Sequence, residues 1–178
     1  CMVSAQPLAN LLPVLMPGFK PQQVLLLVTP EMNKAAQQLE KVLQQRGCVT
    51  RQYPVAAFDL DAVRAIVTNL ILEHCDSDLA FNLTGGTKIM ALAVYEILRA
   101  FELPSFYLDT ASPRLIMLRA GADFVPLPEM LTVKTALQAQ GFVIETSGSL
   151  QIPPLQRDIT EQMIKRAEEF QKPLTLLN

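Results

Sequence analysis

Charge of either sign is scarce in this sequence. Charged residues make up 18% of the 178, and Lys+Arg 15 stand against Asp+Glu 17 for a net charge of −2. Without excess cation, the chain cannot grip long nucleic acid by bulk charge. Aromatic residues are only 6% and form no strip on which open single-stranded RNA could stack. An anionic partner must therefore be held by local donors. The three cysteines, Cys1, Cys48 and Cys75, are odd in number and far apart, with no C-x-x-C pair. That excludes a disulfide framework and a zinc site, and it fits buried thiols in a reducing cytoplasm. The single histidine, His74, is followed by Cys75 and Asp76. Neighbouring side chains at a helix end point apart and no second histidine exists, so the trio reads as a helix end near a turn, not a metal or nucleophile site. Residues 1–19 carry no charge, but Ser4, Gln6, Asn10, Pro7, Pro13 and Pro17 interrupt them and no basic leader precedes them. They make a poor membrane span and a poor signal peptide.

Half of the residues are apolar, which excludes a disordered coil. A chain of this length buries roughly 70% of its unfolded surface and needs no metal or disulfide to hold together. No repeat or low-complexity stretch occurs.

Strand and helix signals alternate along the chain. Met2–Val3 reads as a strand tail, Ser4–Pro7 as a loop, and Leu8–Met16 as a short helix closed by Pro17-Gly18. Gln23–Thr29 is a continuous apolar run, the mark of a strand buried on both faces. Pro30 opens a helix over Glu31–Arg46 that Gly47 ends. Cys48–Tyr53 is a third strand, and Asp59 caps a helix running to Cys75. Leu79–Leu83 is the fourth strand. Thr84-Gly85-Gly86 then turns into a helix from Thr87 to Glu102, and Ser105–Leu108 is the fifth strand. Arg114–Arg119 and Phe124–Leu127 are short strands separated by the Ser112-Pro113 turn and the Gly121 loop. This order predicts an α/β, Rossmann-like, doubly wound and mainly parallel sheet, with ligands beyond the carboxyl ends of its strands. The pattern changes after Leu127. Thr132–Gln140 reads as a helix, Phe142–Glu145 and Leu150–Ile152 as strands, Pro153-Pro154 as a break, and Arg157–Gln171 as a charged helix. Residues 1–128 are thus expected to be the Rossmann-like domain, and 129–178 a small C-terminal α+β attachment or linker. The clipped first strand and a first residue that is Cys suggest a piece of a longer protein.

The sharpest local feature is Asn82-Leu83-Thr84-Gly85-Gly86-Thr87-Lys88. A buried strand enters two glycines and then a helix. Glycine permits the turn and close approach of a ligand to the main chain. The first helical N–H groups lack intrahelical partners and, with the helix dipole, form an anion cradle. Thr84 and Thr87 add hydroxyls and Lys88 a positive charge. The Walker A and dinucleotide fingerprints are both absent, so neither ATP hydrolysis nor NAD binding is supported. The same string also suits a tight turn with an exposed lysine. Ser4-Ala5-Gln6 with Asn10, Thr29-Pro30-Glu31-Met32, and Asp109-Thr110 fall at the same sheet edge. Their polar side chains can bond phosphate or base edges, though Ser4 and Thr29 are equally ordinary helix caps. The helix after the glycines is apolar around most of its circumference, with only Lys88, Glu96, Arg99 and Glu102 charged. Its spare surface fits a second copy across a two-fold axis, or burial under the C-terminal attachment.

These strings carry a resemblance. Val3–Pro7 with Asn10–Pro13, Leu27–Met32, Phe81–Met90, Tyr107–Thr110, and Leu131–Lys134 followed by Gln140–Phe142 resemble the CARF domains (CRISPR-associated Rossmann fold). Those are sensors of cyclic oligoadenylates in type III CRISPR antiviral defence. The chain is most similar to the subgroup in which the sensor precedes a PD-(D/E)xK nuclease, whose carboxylate–lysine constellation is not among these residues. The resemblance implies a cytoplasmic homodimer that binds one cyclic tetra-adenylate across its axis, uses no cofactor or metal, and allosterically controls an effector domain in a longer parent chain. It implies no DNA binding by this piece. By motif, Thr84, Gly85, Gly86, Thr87 and Lys88 hold the ring phosphates. Ser4, Ala5, Gln6, Asn10, Thr29, Pro30, Glu31 and Met32 contact ribose, phosphate or adenine, and Asp109 or Thr110 lines the wall. The resemblance leaves a second reading open: a ring nuclease that cleaves its ligand without metal by attack of a ribose 2′-OH. Lys88 would stabilise charge there, and Ser4 or Thr87 would orient the reactants. No histidine serves as base in these motifs, so only slow cleavage is expected. A blander third reading is a regulator or scaffold that binds another nucleotide or a protein.

Overall fold

A computed structural model describes residues 1–110, 112, 114–119, 121, 124–128, 131–144, 158, 161 and 162. Cys1–Ile144 form one compact unit and Glu145–Asn178 a second. Within the first unit, α1 is Leu8–Leu15, β1 Gln23–Val28, α2 Asn33–Gln45, β2 Val49–Pro54 and α3 Leu60–Glu73. These are followed by β3 (Phe81–Asn82), α4 (Lys88–Ala100), β4 (Ser105–Asp109), β5 (Arg114–Met117), β6 (Phe124–Pro126) and α5 (Val133–Ala139).

The apolar run of β1 has a simple physical origin. Val24, Leu26 and Val28 pack into a core with Leu11 of α1, Ala36, Leu39, Val42 and Leu43 of α2, and Ala139 of α5. Leu25 and Leu27 point the other way, into a core with Val63, Val67, Leu70 and Ile71 of α3 and Met90, Ala93, Val94 and Leu98 of α4. A strand covered on both faces has no solvent side and so shows no polar alternation. Met2 and Val3 divide between the same two cores. β1 and β2 are parallel. On the other edge of β1, Cys1–Val3 run parallel to it, with Val3 N–H donating to Leu27 O at 3.0 Å and Leu27 N–H to Cys1 O at 2.8 Å. β3 pairs parallel with β4, and β5 and β6 extend this second sheet antiparallel. A third cluster packs Ala9 and Met16 on Phe106, Leu108 and Leu115. Phe19 meets Phe106 edge to face at 5.8 Å.

The α/β class is thus as the sequence predicts, and so is the Asp59 cap, whose Oδ1 accepts from Ala62 N–H at 2.9 Å. Three details differ. Pro30–Met32 form a turn of 3₁₀ helix, and α2 proper starts at Asn33, because proline can begin a helix while supplying no donor. β3 has only two residues rather than five, since only Phe81 and Asn82 fall into ladder register with β4, although Leu83 N–H still donates to Phe106 O at 2.9 Å. Phe142–Ile144 are not a strand; Phe142 N–H instead closes the end of α5 on Leu137 O at 3.0 Å. Leu150–Ile152 and Pro153-Pro154 lie outside the described residues, as does the helix over 157–171 apart from 158, 161 and 162. α5 packs on α2, where Arg46 donates to Thr135 Oγ1 at 3.2 Å.

Candidate functional site

The loop after β3 is built by one buried amide. Asn82 is 5% exposed, and its Nδ2 donates to Ala9 O at 2.7 Å and to Asn10 Oδ1 at 3.2 Å. Its Oδ1 accepts from Thr84 N–H at 3.0 Å and from Thr84 Oγ1 at 2.6 Å. Thr84 Oγ1 in turn accepts from Leu108 N–H at 2.8 Å, and Asn10 Nδ2 donates to Met2 O at 2.9 Å. This chain of satisfied bonds ties α1, β3, β4 and the first strand together at the entrance to the turn. The side chains of Asn10 and Thr84, both expected at the site, are committed to it.

The two glycines do different work. A side chain at Gly85 would collide with the carbonyl oxygen of Met2, so the close approach of two main chains demands its absence. Gly86 sits at φ +75°, in the left-handed region that glycine adopts without strain. Thr87 then caps α4, accepting from Met90 N–H at 3.1 Å. Its hydroxyl donates to Ala57 O at 3.2 Å. Both roles of that hydroxyl are internal. Among the described residues, the main-chain N–H groups of Gly85, Gly86, Thr87, Lys88 and Ile89 find no protein acceptor. Unpaired amides at a helix start attract an anion.

Gly86 and Thr87 border a cleft of about 1160 Å³. Of the residues expected from sequence, it brings together Ser4, Ala5, Thr29, Pro30, Glu31, Met32, Gly86 and Thr87. Gln6, Asn10, Thr84, Gly85, Lys88, Asp109 and Thr110 do not line it. Lys88 is exposed just beyond its edge and forms no ion pair among the described residues. Asp109 accepts from Arg114 Nε at 3.2 Å, and Thr110 is exposed. Among the described residues the Ser4 hydroxyl bonds only within its own loop, to Gln6, the shorter contact at 3.3 Å. Val3 and the loop Ala56–Asp61 complete the lining, and that loop escaped the sequence reading as part of the site. The signal was available: β2 is parallel to β1, so the loop after it opens on the same edge.

The charge in the cleft is uneven. Glu31, Asp59 and Asp61 line it, and among the described residues no Lys or Arg does. Glu31 is held below the usual carboxylate range by its own main-chain N–H and by Thr29. Asp61 pairs with Arg64 at 3.0 Å, and Arg64 also reaches Glu96 of α4 at 2.7 Å. The arrangement can receive an anion at the Gly86–Thr87 end, while its acidic wall offers acceptors to groups bearing N–H or O–H. No metal-binding cluster of His, Cys, Asp or Glu occurs among the described residues. No helix among them is long and apolar enough to cross a membrane.

A sequence profile of the Card1 CARF domain matches residues 1–135. Among solved structures, the chain is similar to Can2 from Sulfobacillus thermosulfidooxidans, determined in complex with cyclic tetra-adenylate. That match has a TM-score of 0.76 and 26% identity, over 99% of this chain and 48% of that one. It is also similar to a type III CRISPR defence DNA nuclease activated by cyclic oligoadenylate, with a TM-score of 0.70 and 27% identity over 82% of this chain and 23% of that one. The VC1899 protein of Vibrio cholerae shares the fold, with a TM-score of 0.71 at 20% identity over 78% of this chain and 37% of that one. The chain thus spans less than half the length of each of these proteins. No curated protein matches it.

Proposed function

The chain belongs to the Card1 CARF domain family, and from that premise we propose that it is a dimeric cytoplasmic sensor domain binding cyclic tetra-adenylate in type III CRISPR defence. The observation that carries this reading is the row of unpaired amides from Gly85 to Ile89 at the start of α4, beside the cleft. Each phosphate of such a ring bears one negative charge, and main-chain N–H groups with the helix dipole supply complementary charge without a cationic lining. Lys88, exposed beside them, adds one full charge per protomer. On α4, Ile89 and Leu92 are exposed, Leu92 by 67%. They lie within the first two turns of α4. A two-fold contact through this face sets two cradles side by side, which suits a symmetric ligand. Coupling to an effector follows if the ligand binds one arrangement of the dimer more tightly than another.

Titration calorimetry with cyclic tetra-adenylate tests the reading, with cyclic tri- and hexa-adenylate as ring-size controls. We expect heat, saturation at one ring per dimer, and a raised melting temperature. Absence of heat and of any melting shift at tens of micromolar ligand rejects it. Chromatography of the ligand after hours of incubation separates a binding module, which returns the ring intact, from a ring nuclease.

A further inference from the structure

The wall of the cleft that the sequence did not reveal carries one large exposed aromatic, Phe58, at 76% exposure. Its position is imposed by the main chain on both sides. Val55 N–H donates to Val28 O at 2.9 Å, and Asp59 N–H to Ala56 O at 3.3 Å. Ala57 O accepts the Thr87 hydroxyl at 3.2 Å, and Asp59 caps α3. The residue between two such anchors is held out into solvent. It is not a slack side chain that has missed a core, and leaving its ring bare forgoes burial that a ligand can supply.

We propose that Phe58 is the stacking platform for an adenine base of the bound nucleotide, an inference that rests on the reading above. The distribution of charge decides which part of a nucleotide lies there. Phosphate is attracted to the Gly86–Thr87 end and repelled from the part of the cleft lined by Glu31 and Asp59, which form no ion pair among the described residues. A base is uncharged, has a π face for the ring of Phe58, and carries an exocyclic amino group that a carboxylate can accept. The Thr87–Ala57 bond makes the phosphate loop and the stacking loop one connected piece, so both parts of the nucleotide are gripped in fixed relation.

The test compares the parent protein with Phe58→Leu and Phe58→Trp, using cyclic tetra-adenylate and the same ring with one adenine replaced by 2-aminopurine. Phe58 lies outside the cores, so the variants should melt with the parent. Leucine keeps apolar bulk but no π face, and binding should weaken about tenfold or more, whereas tryptophan should stay within about threefold. Fluorescence of the 2-aminopurine ring should be quenched on the parent and on Phe58→Trp, and not on Phe58→Leu. Unchanged affinity with quenching retained in Phe58→Leu overturns the inference. So does loss of the dimer in that variant, which would make Phe58 an interface residue. A parent protein that binds no ring at all is a separate outcome, since it removes the proposed function and the inference with it.

Discussion

Replacing Gly85 by alanine should injure this protein more than the same change at Gly86, although the two glycines are adjacent. At Gly85 the new methyl overlaps the carbonyl oxygen of Met2 and comes within 3.2 Å of its carbon. What must yield is main chain in a fully buried strand, since Met2 is 1% exposed. That carbonyl also accepts from Asn10 Nδ2, which is linked through Asn82 to Thr84 and Leu108. Overpacking of a core typically costs about 1–3 kcal/mol, and a disrupted buried hydrogen bond about 1–3 kcal/mol more. The expected loss is therefore about 2–6 kcal/mol, or roughly 4–24 °C in melting temperature for a chain of this size. At Gly86 the obstacles are the Cβ and Sδ of Met2 at 3.0 Å, and the sulfur end of that side chain can move. The left-handed backbone adds about 1–2 kcal/mol for a non-glycine residue. Urea unfolding of the two variants measures the difference through their midpoints at constant slope. A Gly85→Ala protein within about 2 °C of the parent, or a Gly86→Ala protein less stable than it, would refute the close-approach argument.

One further outcome follows from the same bonds. Thr87→Val removes both the cap on Met90 and the tie to Ala57, and should cost about 1 kcal/mol, while Thr87→Ser keeps both; equal melting of the two variants would show the hydroxyl to be idle.

Sequence patterning revealed the scaffold because its forces are local or periodic. The unbroken apolar run of β1 reports two covered faces, and Asp59 stands three residues before the N–H it caps. Pairing in space was less legible. Nothing in Leu79–Leu83 says that only Phe81 and Asn82 will fall into ladder register with β4, since that depends on where another strand lies. The loop at Ala56–Asp61 bears no glycine pair or polar cluster, and it enters the cleft only because parallel strands deliver all their following loops to one edge. Gly85 and Gly86 look alike in the sequence, yet one is required by a neighbour's carbonyl and the other by its own dihedral.

Polar side chains pose the harder problem, because a sequence displays donors and acceptors without saying which are already engaged. Asn10, Thr84 and Thr87 are the right residue types for a phosphate site, and all three spend their side chains on the protein. Their contribution is to fix the bend that leaves the amides after Thr84 unpaired. A cradle of this kind presents N–H groups that no substitution other than proline can delete. Removing Lys88 takes away one exposed charge, which solvent and salt already screen, whereas disturbing the glycine bend redirects several dipoles together. If main-chain amides hold the anion, affinity for the ring must depend more on the shape of Thr84–Thr87 than on the charge that follows it.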